Sequence, residues 1–254
     1  GISLISCMYG LSILPDLSAV WFLAIGVLCL LAFIWWEMKS SSPILNLNLI
    51  RRNMVFAFSN IAALINYSAT FAVAFLLSLY LQYTQGMSAQ TAGIILIAQP
   101  IVMAIVSPLA GRLSDKIQPR IIASLGMALT AAGLLYFSFI DADTTIAVII
   151  LGLVIVGLGL ALFSSPNTNA IMSSVENKYY GVSSAILSTM RMVGNILSMG
   201  IVTVLFAVFI GRVEITPEYY APFLDSMKVT FVVFAVLCFL GIFASLARGR
   251  LRRL

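Results

Sequence analysis

Histidine is absent from the 254 residues, and charge of either sign is scarce, at 9% of side chains. A soluble domain carries about 25% charged and roughly 45–50% apolar residues. This chain is 61% hydrophobic, so no water-soluble fold could hide its apolar surface. Without histidine it lacks the side chain that titrates near neutrality and most often binds metals. Cysteine is nearly as rare. Cys7, Cys29 and Cys238 stand singly in apolar stretches, which points to inert buried thiols and away from a disulfide or metal site. No nucleophile with a neighbouring base and no carboxylate pair at membrane depth is visible, so neither an enzyme, a cofactor nor a metal is expected.

What the chain does have is apolar length. A helix crossing about 30 Å of hydrocarbon needs about 20 apolar residues, which leaves room for about eight crossings joined by short loops. Runs bounded by charge, proline or glycine predict a partial helix, Ile2 to Leu14, and then seven complete ones. These are Leu17 to Trp36, Met54 to Tyr83, Ala89 to Ala110, Arg120 to Ile140, Thr145 to Ser174, Gly181 to Ile210 and Val229 to Ala247. The first run is too short to span, Gly1 is not a start methionine, and no basic signal segment precedes it. An upstream segment is therefore expected.

The formal charge of +5 is concentrated in alternate connections. One set holds Lys39, Arg51 and Arg52, then Arg112, Lys116 and Arg120, then Lys178, then Arg248, Arg250, Arg252 and Arg253. The other holds Asp16, Asp141 with Asp143, and Glu214, Glu218 and Asp225. This alternation follows the positive-inside rule and predicts a multi-pass plasma-membrane protein with a cytoplasmic C-terminus and Asp141 outside. Basic residues confined to short loops give no reason to expect a nucleic-acid partner; the lipid bilayer is the expected surroundings.

Polar side chains in a bilayer are costly unless they face protein or water. The segments Leu17 to Trp36, Ile121 to Ile140 and Val229 to Ala247 carry almost none, and are expected toward lipid. Asn60, Asn66, Tyr67 and Thr70 instead share one broad helical stripe, and Ser184, Ser188, Arg191, Asn195 and Ser198 a narrower one. Arg191 is the embedded charge. Two readings stay open for it: a side chain that snorkels to the interface and fixes helix depth, or one that pairs across a cavity or contacts an anionic group.

Pro100, after Gln99, and Pro166, beside Ser164, Ser165, Asn167 and Asn169, are expected to kink their helices. Broken, polar-flanked helices point to transporter binding sites; a packing kink whose amides serve only the backbone is the other reading. Asn60, Asn66, Tyr67, Thr70, Gln99 and Asn167 are accordingly expected to line a cavity, with Phe71 as an aromatic contact and Asn195 beside Arg191 as a flanking polar pair. Ordinary helix packing remains the alternative for each.

Between the fourth and fifth segments the chain reads Gly111-Arg112-Leu113-Ser114-Asp115-Lys116-Ile117-Gln118-Pro119-Arg120. This resembles the G-x-L-a-D-r-x-G-r-r signature of the major facilitator superfamily, with Gln118 in place of the usual glycine. The stretches WEMKSSSPILNLNLIRRNMVF, LYLQYTQGMSAQTAGIILIAQP and GLGLALFSSPNTNAIMSSVENKYYGVSSAILSTMRMVGNILSMG resemble the fourteen-helix drug:proton antiporter branch of EmrB/QacA type.

The resemblance implies an all-α polytopic bundle: a partial helix, one peripheral helix and a connector over residues 1–52, then a C-terminal six-helix half over 53–254. It also implies multidrug efflux of amphipathic, often cationic compounds by alternating access, driven by protons. Gly111, Arg112, Asp115, Lys116 and Arg120 would form the gating motif. The coupling acid would lie in an N-terminal six-helix half, a required partner, since the carboxylates here sit in loops or at helix ends. A small-metabolite symporter or uniporter, or a non-transporting membrane module, are the alternatives.

Overall fold

The computed structural model describes residues 6, 9–10, 17–39, 53–211 and 216–249. Among them the secondary structure is helical throughout, with no strand. We label the long helices α1 (Leu17–Lys39), α2 (Met54–Thr84), α3 (Ala89–Lys116), α4 (Pro119–Phe137), α5 (Ile146–Ser173), α6 (Tyr180–Phe209) and α7 (Tyr220–Ala247). The last six are long and apolar enough to cross a membrane. The connector expected at residues 40–52 and the basic tail from Arg250 lie outside the described residues.

Local chemistry sets the helix ends. Asn53 caps α2, its Oδ1 accepting from the Phe56 N–H at 3.0 Å, while its Nδ2 donates to the Ser174 carbonyl beyond α5 at 2.5 Å. Ser88 caps α3 through the Thr91 N–H at 3.2 Å. Pro119 opens α4 at a position where its missing N–H costs nothing. Two expected boundaries move. The α3 helix continues six residues past Ala110, so the family-like motif is its final turns and not a loop; only Ile117 and Gln118 separate it from α4. The α7 helix begins at Tyr220, well before Val229.

Interruptions also differ from expectation. Pro100 breaks α3 at Ile97, one turn earlier, where the proline offers no N–H to the Leu96 carbonyl. The α5 helix runs through Pro166 without interruption. An unforeseen break falls at Phe71–Ala72 of α2, where no proline stands. Thr70 Oγ1 and Ser68 Oγ donate back to the Asn66 and Leu64 carbonyls, each at 2.8 Å, a pairing that bends helices. The Ala72 N–H released by the break donates to Ser198 Oγ of α6 at 3.0 Å. The α2 helix then ends in a π-turn, Tyr80–Thr84, before Gly86 reverses the chain at φ 65°.

Packing contacts arrange α3, α5, α2 and α6 as one layer, backed by α4 against α5 and by α7 against α2 and α4. Small residues set the closest crossings. A methyl on Gly126 of α4 would lie 2.7 Å from the Gly159 carbonyl of α5. A methyl on Gly194 of α6 would lie 2.8 Å from the Leu64 carbonyl of α2.

Burial qualifies the expectation that the greasy segments face lipid: α4 and α7 each expose one apolar face, with Leu125 and Leu135 on α4 and Val236, Phe239 and Phe243 on α7, and bury another. Ile122, Met127, Leu134 and Phe137 of α4, and Phe223, Met227, Phe231 and Phe234 of α7, are buried, with the Phe137 and Phe231 rings 5.3 Å apart. The α3 helix is instead the most open, 11% of its most apolar window being buried against 50% for α4. Hydrocarbon and helix interiors are equally apolar, so hydropathy cannot tell a lipid-facing surface from a helix contact. On α1, Val20, Trp21, Leu28, Leu31 and Trp35 are exposed.

Candidate substrate-facing site and the basic-end motif

Tyr67 of α2, Ser164 and Thr168 of α5 and Arg191 of α6 come from three helices and meet with half-buried side chains. The Tyr67 hydroxyl shares a hydrogen bond with Ser164 Oγ at 3.3 Å. Arg191 Nη2 donates to Thr168 Oγ1 at 3.1 Å, and its guanidinium carbon stands 5.4 Å from the Tyr67 ring centroid, within the range of a cation–π interaction. No carboxylate among the described residues lies within ion-pairing distance of Arg191. Gly194, one turn along α6, makes this meeting possible by letting α6 lie against α2 at Tyr67 and Ser68.

The remaining expected site residues divide by burial. Phe71 is 49% exposed, one turn beyond Tyr67. Gln99 and Asn195 are half-buried; Gln99 sits where α3 crosses α5 at Gly157, and Asn195 Oδ1 has no partner. Asn60, Asn66, Thr70 and Asn167 are buried between helices. Asn60 Nδ2 donates to the Phe56 carbonyl of its own helix at 2.9 Å, and both amide atoms of Asn66 are unpartnered. Thus the stripe on α2 splits: Tyr67 reaches the cluster, while Asn60, Asn66 and Thr70 turn into the bundle.

Asn167 belongs to a second constellation, at the end of the bundle that carries the basic residues. Its Oδ1 accepts from Arg248 Nη1 at 2.9 Å, and its Nδ2 donates to the Ser59 carbonyl at 3.1 Å. Arg248 also donates to Ser59 Oγ at 3.1 Å, Ser245 Oγ at 2.8 Å and the Pro119 carbonyl at 3.4 Å. This guanidinium is 1% exposed and ties together α2, α4, α5 and α7. Burial, with Arg120 nearby as a second cation, lowers its pKa to about 10, so it keeps its proton at neutral pH. In the sequence it looked like one of several topology-setting bases, and no local signal marked it out.

The motif lies beside this constellation. Arg112, Asp115 and Lys116 are exposed on the last turns of α3, where the basic pair complements the negative helix end. Asn169 of α5 donates to Ser114 Oγ at 2.8 Å and to Asp115 Oδ1 at 3.3 Å. Gly111 faces Ser165 closely, since a methyl there would lie 2.9 Å from Ser165 Oγ. Arg120 lines a cavity of about 10 Å³ with Gln118 and Arg248.

A third constellation closes the opposite, acidic end. The Tyr80 hydroxyl donates to the Asp141 carbonyl at 2.7 Å, and Gln85 Nε2 donates to the Ala142 carbonyl at 2.8 Å. Lys228 of α7 pairs with the Asp141 carboxylate.

The family model of the Major Facilitator Superfamily matches residues 59–253. The chain belongs to this superfamily. Major facilitator proteins are multi-pass membrane transporters, which accords with six apolar helices and a non-enzymatic role at that coarse level. Among curated relatives it is 28% identical over 223 residues to the riboflavin transporter RibZ of Clostridioides difficile (strain 630), covering 87% of this chain and 49% of the relative. It is 28% identical over 193 residues to the multidrug resistance protein Stp of Mycobacterium tuberculosis (strain H37Rv), covering 76% of this chain and 35% of that one. To the tetracenomycin C resistance and export protein of Streptomyces glaucescens it is 29% identical over 206 residues, covering 81% and 38%. The chain spans about half the length, or less, of these relatives.

Proposed function

We propose that this chain is the C-terminal portion of a proton-driven multidrug exporter of the fourteen-helix EmrB/QacA type, working by alternating access. The observation that carries the reading is the cluster of Tyr67, Ser164, Thr168 and Arg191, where polar and aromatic groups from three helices stay half-exposed with hydrogen-bonding capacity unspent. Phe71, Gln99 and Asn195 extend this surface. Asn60, Asn66 and Thr70 join it in a conformation that parts α2 from its neighbours, while Asn167 stays committed to Arg248. Relatives named for drug and antibiotic resistance support the substrate class of amphipathic small molecules.

In this reading the basic end is cytoplasmic, following the positive-inside rule. Gly111, Arg112, Asp115, Lys116 and Arg120 gate that side, and Asn169 reports the position of Asp115 to α5. The partner is an N-terminal six-helix half, which supplies the opposite cavity wall and the titratable acid. The test is drug resistance of cells carrying the complete gene, with and without a protonophore. Resistance that collapses with the proton gradient is expected; resistance indifferent to it would overturn proton drive.

Asp115→Asn in the complete transporter is expected to abolish resistance while expression is kept, and unchanged resistance would remove the gating role. A second reading, transport of a small metabolite, is favoured by the riboflavin transporter among the relatives. Uptake of labelled riboflavin by the same cells would choose it, gradient-dependent for a symporter and gradient-independent for a uniporter.

A further inference from the structure

We infer that Arg191 selects substrates by charge: it takes the anionic or acceptor-rich group of an aromatic compound and disfavours organic cations. The inference rests on the transport reading above and narrows the substrate class that the family resemblance implies.

The placement of the guanidinium carries the argument. Arg191 sits level with Ser164 and Thr168, about 8–13 Å inside the end of α5 at 1.5 Å per residue. Its side chain reaches Thr168 Oγ1 at 3.1 Å and stands 5.4 Å from the Tyr67 ring centroid. A guanidinium carries five N–H donors, and here one hydrogen bond, to a neutral hydroxyl, is made among the described residues. No carboxylate among the described residues compensates the charge. Charged groups at such depth face a partner or a watery cavity.

Chemistry then fixes the class of that partner. Arginine's planar fork matches carboxylates, enolates and phenolates. The Tyr67 ring beneath it and the 49% exposed Phe71 ring one turn away offer aromatic stacking surface. An incoming cation would meet an uncompensated positive charge already occupying the face of Tyr67. Arg248 sharpens the contrast, because its guanidinium is 1% exposed and spends four hydrogen bonds inside the protein. Arg191 has no such set.

The experiment uses the complete transporter in proteoliposomes with an imposed proton gradient, and two dyes sharing a xanthene core: anionic fluorescein and a cationic rhodamine. The wild type is expected to move fluorescein faster than the rhodamine. R191Q should lower fluorescein transport about tenfold, the scale of one charge-assisted hydrogen bond, while raising rhodamine transport. R191K, which keeps the charge but not the fork, should restore part of the fluorescein rate. Equal losses of both dyes in R191Q would overturn the inference and assign Arg191 to packing or to a salt bridge with the other half. A wild type that prefers the rhodamine would overturn it too. Transport of neither dye, together with loss of drug resistance in cells, would remove the transport reading itself and this inference with it.

Discussion

Arg248 and Arg191 are two guanidiniums within one apolar bundle, and they are treated oppositely. Arg248 is buried under four helices and its donors end on Ser59, Asn167, Ser245 and the Pro119 carbonyl. Arg191 is half-exposed, with Thr168 Oγ1 as its acceptor among the described residues and one aromatic ring beneath it. The four hydrogen bonds of the Arg248 Nη atoms hold helices together, although the Nε of each arginine is buried without a partner; Arg191, with one such bond among the described residues, keeps more of its binding capacity for something else. On the proposed reading, the difference separates the part of the fold that must stay fixed from the part that meets a ligand.

The largest expected effect breaks the fixed side. Arg248→Met leaves the Asn167 Oδ1 and Pro119 carbonyl acceptors without their donor and should cost about 2–4 kcal/mol, read as a lower thermal midpoint in detergent. No loss would mean that the desolvated charge costs as much as its bonds return. Titration should not mimic this mutation. The folded-state pKa of Arg248 lies below its ordinary value, at about 10. Between that value and the ordinary one the unfolded chain holds more protons, so stability from this group rises with pH there. Below about pH 9 both states are protonated and its contribution is flat; a midpoint that shifts between pH 6 and 8 must come from other groups.

Ser198→Ala comes next, since it orphans the Ala72 N–H at the α2 break. A loss of about 1–2 kcal/mol is expected, and an unchanged midpoint would show that the break re-pairs its own donor. Arg191→Gln should cost less than about 1 kcal/mol of stability, because it makes one hydrogen bond and one ring contact among the described residues; a loss equal to that of Arg248→Met would erase the contrast. Smallest is Lys228→Gln. Its partner Asp141 has a side chain 72% exposed, so about 0–0.5 kcal/mol is expected, falling further with added salt.

Much of the scaffold was legible in advance. Apolar run lengths marked the helices, and charge bounded them. Arg191 stood out because a charge inside an apolar run is costly wherever it points. The α2 break at Phe71–Ala72 was not legible, since it depends on Ser68 and Thr70 bonding back to carbonyls and on a receiver, Ser198, that lies 126 residues away. Nor did hydropathy place α4 and α7 behind the front layer, for lipid and protein interiors look alike to an apolar side chain.

The sequence by itself determined that the chain crosses a membrane as helices, which crossings carry polar groups, and where the major facilitator motif falls, because those properties follow from hydropathy and local spacing. Only the tertiary structure decided which polar groups are already spent. Asn167 and Tyr67 both looked like cavity residues, yet Asn167 is bound to Arg248, 81 residues away, while Tyr67 lies beneath Arg191 on a half-open face. A hydrogen bond between helices depends on what packing brings within about 3 Å, and one-dimensional spacing holds no record of that.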